Sequence, residues 1–279
     1  MPELPEVETV RRTLEPFVLD RTISRVEVLY PRVLQSISPQ KFTLALVGNR
    51  FTSLTRRGKY LLFTVSTGLV MVVHLRMTGR LVAMSSSEVP REKHTSAVFT
   101  FSAGGELRFI DQRKFGTINL LPPDRLTEVR GLREMGPEPL GDGFTPAYLA
   151  RVCEGKKAPI KSVLLDQRQI AGLGNIYADE SLFAAGIHPM RPAGELRPGE
   201  VERLYDAIRT VLTDAVANQG TTFRDYRTGI GTEGSFQNKL QVYGRKGLPC
   251  PNCGQTLQHA RVGGRTSHFC PHCQGGPEQ

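Results

Sequence analysis

Four of the five cysteines lie in the last 30 residues, as Cys250-Pro-Asn-Cys253 and Cys270-Pro-His-Cys273. The 16 residues between the pairs fit a four-cysteine zinc ribbon, in which each pair gives two thiolates to one tetrahedral ion. A segment this short cannot build a hydrophobic core without the metal. Because four thiolates complete the coordination, we predict one structural Zn²⁺ rather than a catalytic one. A reactive dithiol is the alternative.

The charge balance favours a polyanionic partner. The 279 residues contain 36 Lys and Arg against 27 Asp and Glu, a formal net charge of +9. Such an excess is typical of nucleic-acid-binding proteins, although charge alone does not identify the partner. No apolar run reaches the roughly 18 residues that span a bilayer, so we expect no membrane segment. Clustered rather than dispersed cysteines indicate a cytoplasmic compartment, and we expect the fifth, Cys153, to be a core residue.

The hydrophobic pattern divides the chain into three segments. Residues 1–131 begin with a helical pattern and continue as short apolar runs between turn residues, which is typical of antiparallel strands. Residues 132–237 contain helical stretches followed by a long loop, Gln219–Phe236, and residues 238–279 contain the cysteines. We therefore predict an α+β protein with a β-sandwich or barrel, a helical domain and a zinc finger.

Turn residues set the predicted boundaries of the individual elements. The predicted strands are Arg25–Leu29, Tyr60–Val65, Leu69–Leu75, Ala97–Phe101, Leu107–Ile110 and Thr117–Leu121. The predicted helices are Pro5–Phe17, Pro146–Cys153, Pro159–Gln167, Asn175–Ala185 and Pro198–Ala217.

The first residues of the chain suggest amine chemistry. Met1 precedes Pro2, a context in which the initiator methionine is normally removed, leaving a free secondary amine. An α-amino group has a pKa of about 8, so part of it is neutral near physiological pH. A secondary amine that attacks a sugar C1′ forms an iminium, which acts as an electron sink. Glu3 and Glu6 lie on the same helical face, where a general acid is needed. The alternative is a capped helix start without chemistry.

A glycine-rich turn, Gly172-Leu-Gly-Asn175, precedes a predicted helix. Such a turn lets backbone amides approach a phosphate, and Asn175 suits an N-cap or a direct donor. Lys156, Lys157 and Lys161 lie just upstream and favour contact with DNA phosphates. The alternative is a helix–turn–helix packing unit with no ligand.

Three motifs together resemble bacterial formamidopyrimidine-DNA glycosylases: Pro2–Thr9, Gly172–Glu180 and the four-cysteine finger. The resemblance extends over essentially the whole chain. It implies an N-terminal β-sandwich with flanking helices, a helix–two-turns–helix domain and a zinc finger, acting as a monomer on damaged double-stranded DNA. It also implies a bacterial, nucleoid-associated enzyme of base excision repair. Such an enzyme excises 8-oxoguanine and formamidopyrimidines and nicks the strand.

The resemblance further implies roles for five catalytic residues. Pro2 matches the Schiff-base nucleophile and Glu3 the proton donor for base release, with Glu6 beside it. Lys59, in Arg56-Arg-Gly-Lys59-Tyr, matches the lysine assigned to β-elimination. Arg265, in Gly263-Gly-Arg265-Thr, matches the finger arginine assigned to δ-elimination and phosphate contact.

The resemblance also implies a set of DNA contacts: His94, Arg113, Lys157, Asn175, Met77 and Phe115. Met77 matches the residue that fills the gap left by an everted base, and Arg113 and Phe115 complete this wedge. An enzyme that acts at C1′ must extrude the nucleotide and fill the stack. Without the resemblance, Met77 and Phe115 would be interpreted as core residues and Lys59 as a solvated surface lysine. Thr78 departs from the family, since some relatives have an acidic residue there.

Two other functions remain open from sequence. The endonuclease VIII branch shares the fold and prefers oxidised pyrimidines, but it typically opens with Pro-Glu-Gly-Pro-Glu, and Leu4 favours the purine branch. A non-catalytic zinc-finger DNA-binding relative is the second, and the joint presence of Pro2, Glu3, Lys59 and Arg265 argues against it. We expect the loop Gln219–Phe236 to close over an extruded base, with Phe223 or Tyr226 packing nearby.

Overall fold

The computed structural model of the chain describes residues 1–222 and 226–275. These residues form two compact units. Unit 1 comprises Met1–Arg133 and Asn218–Gln237, and unit 2 comprises Glu134–Ala217 and the described residues from Asn238 onward. Among the described residues, no helix is both long and apolar enough to cross a membrane.

Unit 1 is a sandwich of two four-stranded antiparallel sheets with helices beside it. The sheet orders are β1-β6-β7-β5 and β2-β3-β4-β8. The strands are β1 (Ile23–Val28), β2 (Phe51–Arg57), β3 (Tyr60–Val65), β4 (Val70–His74), β5 (Gly79–Met84), β6 (Thr95–Phe101), β7 (Glu106–Asp111) and β8 (Thr117–Leu121). The helices are α1 (Leu4–Val18), α2 (Pro39–Leu46) and α3 (Arg130–Arg133).

The core of unit 1 lies between the two sheets. The ring centroids of Phe51 and Phe63, from β2 and β3, are 5.0 Å apart, and Phe51 lies 6.3 Å from Phe99 of β6 in the other sheet. Phe42 of α2 packs edge-on against Phe99 at 6.0 Å. Helix α1 adds Leu14 and other apolar side chains to the same cluster, which explains its helical apolar spacing.

All six predicted strands form, and the sandwich prediction is confirmed, but β2, β5, α2 and α3 were not predicted. Both missed strands are at sheet edges. In β2 only Phe51 and Leu54 are buried, so its apolar pattern is too sparse to indicate a strand. Strand β5 begins at Gly79, a residue more typical of turns.

Unit 2 contains four helices and a two-stranded finger. The helices are α4 (Pro146–Cys153), α5 (Ile160–Leu165), α6 (Asn175–Ala185) and α7 (Pro198–Ala217), and the strands are β9 (Gln258–Val262) and β10 (Arg265–Phe269). Helices α4, α6 and α7 have the predicted bounds, whereas α5 is shorter than predicted. Strands β9 and β10 are joined by Gly263 and Gly264 at φ +56° and +78°, the left-handed region that a two-residue hairpin turn requires.

The loop after α7 lies in a different unit from the one expected. The sequence placed residues 132–237 together in the helical segment. Residues Asn218–Gln237 belong to unit 1, and the zinc finger belongs with the helices of unit 2. Hydrogen bonds explain the first assignment. The Gly229 amide donates to Thr13 Oγ1 of α1 at 2.8 Å, and the Ala83 amide of β5 donates to the Gly229 carbonyl at 2.7 Å.

A cluster of charges on α1 stabilises the helix against β2. Glu8 accepts hydrogen bonds from Arg11 and Arg12 of the same helix and from Arg56 of β2. The distance from Arg56 Nε to Glu8 Oε2 is 3.2 Å. Burial raises the pKa of the Glu8 carboxyl, but the hydrogen bonds from Arg11 and Arg12 and the charges of Arg11 and Arg56 outweigh it, so the net shift is downward.

We predict that Glu8→Gln lowers the free energy of unfolding by about 1 kcal/mol at pH 7. A carboxyl whose pKa is depressed by folding stabilises the protein above its unfolded pKa, and this stability is lost as the pH falls through the folded pKa. Denaturant unfolding at pH 7 and at a series of pH values descending from the ordinary value of 4.5 tests this, since the difference should shrink as the pH falls and vanish below the folded pKa. Glu128→Gln, in an exposed pair with Arg125, is the control and should match the parent. An equal difference at every pH value would contradict the prediction.

Candidate active site and nucleic-acid interface

The N-terminal residues of unit 1 form a buried acidic cluster at the start of α1. Pro2 is buried, and Glu3 and Glu6 are only 3 % and 2 % exposed. Glu6 Oε2 accepts a hydrogen bond from the Glu3 amide at 2.8 Å, across the first turn of the helix. This bond satisfies a backbone donor that the helix cannot pair internally, and it fixes the backbone beside Pro2.

The second oxygen of Glu6 binds the loop. Glu6 Oε1 accepts a hydrogen bond from the Thr221 amide at 2.8 Å. The preceding residue, Gly220, has φ +73°, and a Cβ on it would lie 2.7 Å from Glu6 Oε1. Any other residue here would therefore clash with the carboxylate in addition to straining the backbone. Gly220 is the residue type that this close approach needs.

Tyr226 closes the cluster from the loop side. Its hydroxyl donates to the Gln219 carbonyl at 3.1 Å and lies 3.4 Å from the Glu6 carbonyl. Burial, followed by the charge of Glu6, raises the pKa of Tyr226, so its hydroxyl stays protonated. Phe223, the other aromatic residue expected to pack near an extruded base, lies outside the described residues.

Lys59 is buried. The interpretation of Lys59 as a solvated surface lysine, which its residue type alone would favour, is therefore wrong. Lys59 is 5 % exposed and follows Gly58 in the turn between β2 and β3, where Arg57 pairs with Tyr60. Gly58 has φ +56°, the left-handed conformation that this two-residue turn requires. The turn thus directs Lys59 inward.

His74 lies beside Lys59 and was not singled out from sequence. Burial, then the charges of Arg76 and Lys59, lowers the pKa of His74 to about 3. Its Nδ1 accepts a hydrogen bond from the Arg76 amide at 2.9 Å, and Tyr60 packs edge-on against its ring at 4.4 Å. His74 is therefore neutral at physiological pH. The only sequence signal was its position three residues before Met77.

The proposed wedge residues are exposed, so the interpretation of Met77 and Phe115 as core residues is wrong. Met77 is 40 % exposed and Phe115 is 54 % exposed. The guanidinium carbon of Arg113 lies 5.0 Å from the centre of the Phe115 ring, within range of a cation–π contact. His94 lines a cavity of about 420 Å³ in this unit, together with Thr78, Arg80 and Arg227.

In unit 2, the structure brings Asn175 to the finger hairpin. Its Nδ2 donates to the Thr266 carbonyl at 3.1 Å, next to Arg265, which is exposed at the start of β10. Gly174, not Asn175, is the N-cap of α6, which removes the N-cap interpretation of Asn175. Lys157 is exposed in the connection between α4 and α5.

The acidic end of the Gly172–Glu180 motif binds the finger. Glu180 accepts hydrogen bonds from the backbone amides of residues 241, 242 and 243, at 2.8–3.0 Å. Asp179 accepts from Ser267 Oγ at 2.7 Å and from the His268 amide at 2.9 Å. The sequence predicts no role for these two acids, because their partners are 60 to 90 residues away in the chain.

Lys161 is part of the same buried network, so the expectation that it contacts DNA phosphate is wrong. It is fully buried, and its Nζ lies 2.6 Å from Asp179 Oδ1 and donates to the Thr266 carbonyl at 3.0 Å. A charge removed from water in this way is stable only with such a partner.

The four finger cysteines converge on one point. Their sulfur atoms all lie within 4.8 Å of one another, with Cys250 and Cys273 3.8 Å apart and Cys253 and Cys270 3.5 Å apart. A tetrahedral zinc with Zn–S bonds of about 2.3 Å requires S···S separations of about 3.8 Å. The cluster is thus the site of one structural zinc ion. Cys153, in contrast, is buried in α4, and burial raises the pKa of its thiol to about 11, as expected of a core residue.

Three family models match the chain in order. They are the formamidopyrimidine-DNA glycosylase N-terminal domain over residues 1–118, the formamidopyrimidine-DNA glycosylase H2TH domain over residues 135–227, and the zinc finger found in FPG and IleRS over residues 247–275. The chain belongs to the formamidopyrimidine-DNA glycosylase family.

Relatives and solved structures agree with this assignment. The formamidopyrimidine-DNA glycosylase of Symbiobacterium thermophilum is 52 % identical, covering 100 % of this chain and 90 % of its own length. The formamidopyrimidine-DNA glycosylase of Moorella thermoacetica is also 52 % identical, and the match covers 94 % of this chain and 95 % of that protein. Two Lactococcus lactis Fpg structures, each 37 % identical, were solved with DNA. The complex with abasic-site DNA has a TM-score of 0.92 (98 % of this chain, 100 % of that chain), and the complex with oxidized-pyrimidine DNA 0.91 (99 % and 100 %).

For this member of the formamidopyrimidine-DNA glycosylase family, we predict that Asp179→Asn destabilises the finger by about 3–5 kcal/mol, because Lys161 loses its buried partner. The expected result is faster transfer of zinc to a coloured chelator and a lower melting temperature. Asp214→Asn, in the exposed pair with Lys239 of the same unit, is the matched control and should behave as the parent does. Parental zinc release from Asp179→Asn would refute the role of this pair.

Proposed function

We propose that this DNA glycosylase excises oxidised purines, 8-oxoguanine and formamidopyrimidines, from double-stranded DNA and then cleaves the strand at the abasic site. The observation that supports it most is the buried cluster of Pro2, Glu3 and Glu6 in a chain of this family. Two carboxylates beside an N-terminal proline supply a proton donor and a fixed backbone next to a nucleophilic amine.

In the proposed first step, the Pro2 amine attacks C1′ of the damaged nucleotide once Met1 has been removed. The bond between C1′ and the base breaks, and Glu3 gives the departing base a proton. The amine proton then passes to O4′ as the C1′–O4′ bond breaks, which opens the sugar ring and leaves a C4′ hydroxyl and the C1′ iminium. Glu6 does not act on the substrate in this scheme. It holds the Glu3 backbone through the 2.8 Å hydrogen bond to the amide.

The strand is then cut by elimination. The iminium acidifies the C2′ proton, and its removal expels the 3′ phosphate, which is the β-elimination that we assign to Lys59. Loss of the C4′ proton then expels the 5′ phosphate, the δ-elimination that we assign to Arg265. The burial of Lys59, in the β2–β3 turn, near the neutral His74 of β4 supports this assignment, because a catalytic group acts best when packing limits its positions.

Six further residues are proposed to contact DNA: His94, Arg113, Lys157, Asn175, Met77 and Phe115. Met77 and Phe115 are exposed and line the same cavity of about 530 Å³, which supports their insertion into the base stack because both side chains are accessible on one surface. We further propose that a monomer acts in the bacterial cytoplasm, at the nucleoid. The described part of the loop Gln219–Phe236 contacts α1, and its closure over an extruded base stays a prediction.

A second substrate class is favoured by one observation. The Lactococcus lactis relative has been crystallised with DNA that contains an oxidized pyrimidine, so an endonuclease VIII-like preference is a real alternative for this chain. Leu4 still favours purines.

The proposal is tested with duplexes that each contain one defined lesion, under borohydride. We expect a covalent adduct and strand cleavage with 8-oxoguanine and formamidopyrimidine duplexes, at rates at least tenfold above those for oxidised pyrimidines. A preparation that retains Met1 should not be trapped, because Pro2 then lacks its amine. Trapping with Met1 in place would exclude Pro2 as the nucleophile, and faster pyrimidine excision would favour the alternative substrate class.

A second experiment separates base release from strand cleavage. Glu3→Gln removes the proton donor, so we expect excision of 8-oxoguanine to fall by about 10²–10⁴-fold. Cleavage of a preformed abasic site needs no such proton and should fall by less than about tenfold. Single-turnover assays on both duplexes measure this, with Glu128→Gln as the isosteric control. Equal losses on the two substrates would contradict the role of Glu3.

A further inference from the structure

Asp111 lies at the point where the proposed DNA-contacting segments of unit 1 meet. It is the last residue of β7, pairs with Gly79 of β5 and is almost fully buried. Its side-chain oxygens accept hydrogen bonds from residues on two different loops. The comparisons and the sequence motifs assign Asp111 no role.

The first loop is the turn between β4 and β5, which contains Met77. Asp111 Oδ1 accepts a hydrogen bond from the Thr78 hydroxyl at 2.5 Å. The Thr78 oxygen in turn accepts from the Arg113 amide at 3.2 Å. Thr78 therefore lies in the first loop and is hydrogen-bonded to the second, although it is not one of the proposed DNA contacts.

The second loop connects β7 and β8 and contains Arg113 and Phe115. Asp111 Oδ1 accepts from the Arg113 amide at 3.1 Å, and Oδ2 accepts from the Gly116 amide at 2.7 Å. A Cβ on Gly116 would lie 3.2 Å from Asp111 Oδ2 and 2.4 Å from the Phe109 ring, so the loop is closely packed at this point. The carboxylate thus binds both ends of the loop.

His94 is connected to the same residue through the backbone. The Asp111 amide donates to the His94 carbonyl at 3.0 Å. Four of the proposed DNA contacts, Met77, His94, Arg113 and Phe115, are therefore each on a segment that is hydrogen-bonded to Asp111. The bonds are all to backbone amides, a carbonyl or a hydroxyl, so Asp111 leaves the four contacting side chains unobstructed.

We propose that Asp111 is a positioning residue that holds the Met77 turn and the Arg113–Phe115 loop as one rigid wedge, with the Thr78 hydroxyl as the link between them. Side chains that are ordered before they insert into the base stack lose less entropy on insertion. This inference depends on the proposed void-filling role of Met77, Arg113 and Phe115.

The matched variants are Thr78→Val, which removes the hydroxyl but keeps the branched shape, and Thr78→Ser, which restores it. Thr100→Val is the control, because Thr100 also donates to a carboxylate, Glu106 at 3.4 Å, on the same sheet and away from the wedge. All variants are assayed on duplexes containing 8-oxoguanine or an abasic site, with 2-aminopurine next to the lesion to report unstacking. Melting temperatures control for folding.

We expect Thr78→Val to lower two rates about tenfold: the rate of 8-oxoguanine excision and the rate at which 2-aminopurine fluorescence reports unstacking. The effect on cleavage at the abasic site should be smaller, because the nucleotide there is already unstacked. Thr78→Ser and Thr100→Val should match the parent. Met77→Ala separates the proposed void-filling role of Met77 from the proposed positioning role of Asp111. If it excises at the parental rate, the role proposed for Met77 is wrong. If Met77→Ala is slow while Thr78→Val equals Thr78→Ser, the positioning role of Asp111 is overturned.

Discussion

The Glu6 carboxylate binds two backbone amides that are more than 200 residues apart in the chain. One belongs to Glu3, beside the proposed nucleophile, and the other to Thr221, in the loop after α7. A buried carboxylate is costly unless its oxygens are hydrogen-bonded, so satisfying Glu6 requires both segments to be in place. The position of the loop and the geometry of the N-terminus are thereby set by the same group, which is why Asn218–Gln237 forms part of unit 1.

Unit 2 uses the same device at its finger. A finger of this size has too few apolar side chains to fold by burial alone, so the zinc organises it internally. Asp179 and Glu180 then bind its backbone from α6, and Lys161 neutralises the buried Asp179. Arg265 owes its placement to this combination, because α6 binds the residues that follow it in β10, and β10 leads directly into the zinc ligand Cys270.

Much of this architecture could be predicted from local patterns, and the exceptions have a common cause. The bounds of α4 follow from Pro146 at its first position and from its apolar spacing, and the zinc ligands follow from cysteine spacing, since both signals are local in sequence. The burial of Lys59 and Lys161 could not be predicted, because it depends on partners that only the folded chain brings close. Strand β2 was missed because only Phe51 and Leu54 are buried in it, and β5 because it begins at a glycine, so neither has a clear local strand pattern.

The site groups also show how function constrains stability in this fold. Burying Glu3, Glu6 and Lys59 costs more free energy than apolar side chains of the same size would, and replacing buried polar networks with well-packed apolar residues often stabilises a protein. For Glu6 this cost is offset by hydrogen bonds from the Glu3 and Thr221 amides rather than by exposure to water. Because these donors are backbone amides, substitution of the side chains on the residues that carry them leaves Glu6 hydrogen-bonded beside the proposed catalytic groups Pro2, Glu3 and Lys59.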